Sequence, residues 1–195
     1  RKCRKAIRIL ERTGDYWQVH IARYQIAASY YHLGDFQSAA REAQLNHRSG
    51  SELGDDLASA IILDVWARAT GGKIPPQLIQ GEMSKPRHDP QGKTQVLIAE
   101  AVRLLADGEE SAAVETLTEA TSIAESAGVK NAYTLPALTW LATAQRAQAE
   151  KQITWLPTRR RTVLRRAVKS AQRAVRAGRV CANDLPRALR ELGVL

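Results

Sequence analysis

The chain has 195 residues and sets 29 Lys plus Arg against 20 Asp plus Glu, for a formal charge of +9. At 44% hydrophobic it is apolar enough to bury a core, which excludes intrinsic disorder. Two cysteines, Cys3 and Cys181, exclude a disulfide scaffold and every four-Cys zinc pattern and point to a reducing, cytoplasmic setting. No apolar run reaches the roughly 20 residues that span a bilayer, and the basic start RKCRKAIRILER has no signal-peptide core.

Apolar residues recur at helical spacing along most of the length, and β-branched alternation is absent. The expected fold is all-α. Residues 1–12 place Ala6, Ile7 and Leu10 on one face and read as the second helix of a hairpin. Helices follow over roughly 15–33 and 35–48, then 54–70 and a short 76–84. A proline- and glycine-bearing loop fills 85–93. Further helices are expected over 94–107, 109–127, 131–151 and 157–178. A last one over 183–193 opens on Asn183-Asp184-Leu185-Pro186, capping residues with an early proline. Antiparallel pairing gives hairpins 15–48, 54–84, 94–127 and 131–178, with half-hairpins 1–12 and 183–195. The whole reads as one repeat domain.

Self-similarity supports the repeat. Gly34, Gly71 and Gly108 stand 37 residues apart, each where a helix should end in the left-handed conformation. Five residues after the first and third comes a small residue, Ala39 or Ala113, as a helix crossing requires. The segment LGDFQSAAREA, with Leu33-Gly34-Asp35-Phe36 at its turn, Ala39, and Ile26, Ala27 and Tyr30 before it, resembles the tetratricopeptide repeat. LLADGEESAAVETLTEA repeats the pattern through Leu104, Gly108, Ala113, Leu117 and Ala120. The unit after Gly71 departs from it through Pro75, Pro76, Pro86 and Pro90, and the period exceeds the family's usual 34 residues. The resemblance implies a right-handed α-solenoid of about five hairpins, cut in mid-repeat at both ends. It also implies the kind of array attached to bacterial multidomain signalling proteins, among them ATPase-linked transcription activators, nucleotide cyclases and Ser/Thr kinases. Cut ends would expose apolar faces and pair with neighbouring chains.

Chemistry is not legible. His20, His32, His47 and His88 have no zinc-protease spacing, and Gly71-Gly72-Lys73 lacks the rest of a phosphate loop. Acidic pairs such as Asp55-Asp56 and Glu109-Glu110 sit where helices start, which the macrodipole explains. No catalytic, cofactor or metal residue is therefore assigned, and the chain reads as a non-enzyme.

Two binding surfaces are expected instead. In the repeat register, His20, Tyr24 and Tyr31 of the first long helix fall on the concave side, where a peptide would lie. Family members that clamp acidic C-termini carry Lys and Asn where Tyr24 and Ala28 stand, so that function is not carried over. The second surface comes from charge. Residues 1–12 sum to +5, residues 13–157 to −5, and residues 158–195 to +9. Arg165, Arg166, Lys169, Arg173 and Arg176 fill one side of the penultimate helix, opposite Leu164, Ala167, Val168, Ala171 and Val175. Arg159, Arg160 and Arg161 precede them at its start, where the dipole opposes cations. A solvated face matched by acidic helices of adjacent repeats accounts for such a ridge, and the partner expected if it binds is an acidic protein surface, such as another domain of the same parent chain. Nucleic acid is the alternative, weakened by the absence of interleaved aromatics, and a membrane fits least.

Overall fold

A computed structural model describes residues 2–151 and 157–195, with side chains in the second stretch from residue 161 onward. Every regular element among them is helical. The helices are α1 Lys2–Thr13, α2 Tyr16–His32, α3 Phe36–Leu53, α4 Asp56–Ala69, α5 Pro76–Ser84, α6 Pro90–Ala106, α7 Glu110–Ser126, α8 Pro136–Lys151, α9 Pro157–Gly178 and α10 Leu185–Val194. They fall into two compact units, Arg1–Pro86 and Arg87–Leu195, divided inside the expected 85–93 loop.

In each unit every helix packs on its sequence neighbours. Alternate helices also touch: α2 meets α4 in the first unit, and α8 meets both α6 and α10 in the second. Such a two-layered array is compatible with a helical repeat.

The turns explain how neighbouring helices reverse so tightly. Gly14, Gly34, Gly54, Gly71, Gly72, Gly108 and Gly128 all have positive φ, which a β-carbon would oppose. After Gly14, Gly34 and Gly54 an Asp follows directly. Asp15 accepts from the Gln18 amide at 3.2 Å, Asp35 from Ser38 at 3.1 Å, and Asp55 from Ala58 at 3.0 Å. Glycine thus ends one helix and aspartate caps the next, satisfying an orphan donor each time. Ala39 and Ala113, the expected crossing points, are fully buried.

Three boundaries differ from expectation, each for a local reason. Helix α6 begins at Pro90 because Asp89 accepts from the Gln91 and Gly92 amides, so the connection after α5 is shorter than 85–93. Helix α8 begins at Pro136, since the Asn131 side chain accepts from the Tyr133 and Thr134 amides and holds 131–135 in a turn. Helix α3 runs on past the serines and glycine at 49–51 to Leu53.

Gly50 is the reason α3 can continue there. A β-carbon on it would lie 2.9 Å from the Ser59 amide nitrogen and 3.2 Å from the Asp55 carbonyl oxygen, both backbone atoms at the start of α4. Alanine normally favours a helix by about 1 kcal/mol over glycine. Here overpacking against rigid backbone costs about 2–3 kcal/mol, the upper end of the range for such insertions, and outweighs that gain. Gly50→Ala is expected to lower stability by about 1–2 kcal/mol in chemical denaturation, whereas propensity alone would raise it.

Polar contacts fasten the second unit. Arg146 on α8 donates to Glu191 on α10 at 2.9 Å and to Glu150 at 2.8 Å, and Ser170 on α9 donates to Gln145 on α8 at 2.9 Å. Arg187 lies 3.5 Å from the centroid of the Trp140 ring. Lys151 bridges to Glu110 at 2.8 Å, which holds the Glu110 carboxyl below its ordinary range. A depressed carboxyl stabilises the fold above its unfolded value and loses that contribution as pH falls through its folded one. Lys151→Met is therefore expected to remove under about 1 kcal/mol at neutral pH, since the Lys151 side chain is largely exposed, and to remove less at pH 2, measured by urea denaturation at both.

Candidate functional site

In the first unit, α2 packs against α1, α3 and α4. That enclosure decides where the expected concave residues lie. His20 and Tyr24 are interior, 2% and 5% exposed, so neither belongs to an open surface. Tyr31 is half-buried, with the Arg68 guanidinium 4.7 Å from its centroid and the Phe36 ring at 5.7 Å. Arg68 is itself tied to the buried Asp64 carboxylate at 2.6 Å. His20 and Tyr24 thus pack inside the unit, and Tyr31 packs against Arg68 and Phe36.

The apolar side chains that α2 and α4 do leave open are Trp17, Ile21 and Leu57, 55%, 37% and 42% exposed. On α2 these positions are rotated by about 60° from the expected stripe, at roughly 100° per residue. A cavity of about 30 Å³ between them has room for about one water.

Behind this patch, His20 joins two other side chains in an order that invites a catalytic reading. Its Nδ1 lies 2.7 Å from the Asp55 carboxylate and its Nε2 lies 3.0 Å from the Ser49 hydroxyl. This is the connectivity of a serine nucleophile, a general base and an orienting acid. Two features favour a structural role for it. The Asp55 carboxylate also caps α4, and the small adjoining cavity is lined by His20 and Asp55 but not by Ser49. The network ties α2, α3 and the start of α4 together. His20→Ala is expected to cost about 2–3 kcal/mol, since it strips a buried charge-assisted bond. A fluorophosphonate probe should leave Ser49 unlabelled, as read by intact mass.

In the second unit, α9 separates its residues as the helical wheel implies. Ala167, Ser170, Ala171 and Ala174 are buried against neighbouring helices. Arg161, Arg165, Arg166, Lys169 and Arg176 are exposed. None of these five has an ion pair with another described residue. Arg173 is half-buried and paired with Glu125 of α7. The side chains of Arg159 and Arg160 lie outside the described residues. The ridge is therefore two surfaces: an open face through Arg161, Arg165, Arg166 and Lys169, and a part near the end of α9 that turns toward α7.

No group of His, Cys, Asp and Glu among the described residues has the arrangement of a metal site. Cys3 and Cys181 are both free thiols. No described helix is long and apolar enough to cross a membrane. No protein-family model matches the chain, and no curated protein matches it either.

Proposed function

We propose that the chain is a non-catalytic protein-interaction or sensory segment of a larger bacterial-type signalling protein, acting in the cytoplasm. Its helices would continue a tetratricopeptide-like, right-handed solenoid of about five hairpins. The Gly-Asp turns, the buried Ala39 and Ala113 crossings and the contacts between alternate helices support that reading. Ile9 on α1 and Leu189 and Val194 on α10, all more than half or about half exposed, suit further repeats or copies stacking there.

One observation carries the partner's chemistry: the open face of α9, where Arg161, Arg165, Arg166 and Lys169 stand exposed without carboxylate neighbours among the described residues. Four desolvation-ready cations on one rigid helix attract an acidic surface and steer its approach. The same cations favour a second reading, a basic module for nucleic acid. Against it, α9 carries no aromatic side chain for stacking and no known recognition motif.

Salt dependence separates the two. A fluorescein-labelled deca-glutamate peptide and a DNA oligonucleotide, duplex or single-stranded, are titrated against the chain by anisotropy over a range of salt. The glutamate peptide is expected to bind and to weaken at least fivefold with Arg165→Glu, Arg166→Glu and Lys169→Glu combined. DNA is expected to bind no more tightly than that peptide. Tight DNA binding with a steep log–log salt slope, lost in the same triple variant, would establish the nucleic-acid reading instead.

A further inference from the structure

Where α7 and α9 face each other, the second unit holds a half-open groove of about 350 Å³. Ligand pockets begin at about this size. Its apolar lining comes from three places: Ala124 on α7, Val129, Leu135 and Leu138 along the connection into α8, and Ala177 on α9. Leu135 and Leu138 remain partly exposed in it. At its edges stand Lys130 and Arg176, both exposed and neither ion-paired with a described residue. Arg173 and Glu125 also line it, but they satisfy each other.

The charges at the groove therefore do not balance. Three cations face one carboxylate, and the two cations without a partner flank apolar surface. An occupant that buries a leucine-sized side chain there desolvates Lys130 and Arg176 in part, which is favourable when it also brings carboxylates to them. A wholly apolar occupant would leave both cations uncompensated, and a wholly acidic one would leave Leu135 and Leu138 in water.

We infer that this groove binds a linear segment of a partner protein in which an apolar side chain is flanked by Asp or Glu. The inference rests on the protein-interaction reading above and gives it a site and a partner chemistry. It also divides the basic ridge by role: Arg176 belongs to the groove with Lys130, while Arg165, Arg166 and Lys169 supply long-range attraction from the open face. Arg173 is the strut that holds α9 to Glu125 of α7 and keeps the groove's walls in place.

A random heptamer display library selected against the intact chain tests this. Enriched peptides should combine Leu, Ile or Phe with Asp or Glu one or two positions away. A synthetic copy of the commonest should lose at least tenfold in affinity with Lys130→Glu plus Arg176→Glu, two exposed positions whose replacement leaves the core intact. Leu138→Gln should weaken it similarly, with unchanged helicity and thermal midpoint showing that the unit is folded. The triple variant at Arg165, Arg166 and Lys169 should slow association and cost less than fivefold. Loss in the triple variant alone overturns the groove and leaves the interaction reading standing. Enrichment without acidic residues, or unaffected by the groove variants, also overturns it. No enrichment at all overturns the groove, while the glutamate-peptide titration decides the interaction reading independently.

Discussion

Close approach of neighbouring helices, allowed by residues with little or no side chain, is the constraint on which the rest of this molecule depends. Helical stability in proteins comes mostly from packing rather than from propensity, and every described helix packs on at least one sequence neighbour. Ala39 and Ala113 vanish completely into the crossings, and Gly50 brings α3 to the backbone of α4. Helix α9 is the extreme case. It is crowded with arginine, yet Ala167, Ala171 and Ala174 form a strip smooth enough to lie flat against its neighbours. Because alanine fills the inner side, long cationic side chains are confined to the outer one. The functional surface is in this sense a by-product of the packing rule.

Net charge gains meaning only through that packing. The value of +9 arises from the two terminal segments around an acidic middle, and part of it is matched internally. On the first helix Arg4 reaches Glu42 at 3.5 Å, and Arg23 on α2 reaches Glu11 at 2.9 Å. In the second unit Arg146, Lys151 and Arg173 all have carboxylate partners. Unmatched cations among the described residues include Lys2, Lys5, Arg8 and Arg12 on α1 and those on the open face of α9, but at the rim of the groove Lys130 and Arg176 stand beside apolar surface, which distinguishes that place from a merely basic one.

The helices, the turn glycines and the small crossing residues were legible in the sequence because each follows from a local rule: periodicity, positive φ, or contact distance. The aspartate after Gly14, Gly34 and Gly54 belongs to the same class, although its recurrence at a spacing of 20 residues becomes clear only once three caps are seen together. Faces were harder. Helix α2 is touched by α1, α3 and α4, so a wheel with one apolar stripe misplaces its open side, and the stripe through His20 and Tyr24 turns inward. Helix α9 divides starkly between arginine and alanine, and its buried Ala167 and Ala171 and exposed Arg165, Arg166 and Lys169 fall on the sides the wheel implies, while Arg173 turns to Glu125. The groove was not legible at all. Its walls come from residues 121–138 and 173–177, and no periodicity links segments so far apart.

The account's central claim is that partner recognition lies between α7 and α9. The most direct measurement is amide chemical-shift mapping of the isotopically labelled intact chain during titration with an acidic, leucine-bearing heptamer. The account predicts shifts concentrated at Ala124, Val129, Leu138 and Arg176. Shifts centred on Trp17, Ile21 and Leu57, or spread evenly over the basic residues, would contradict it.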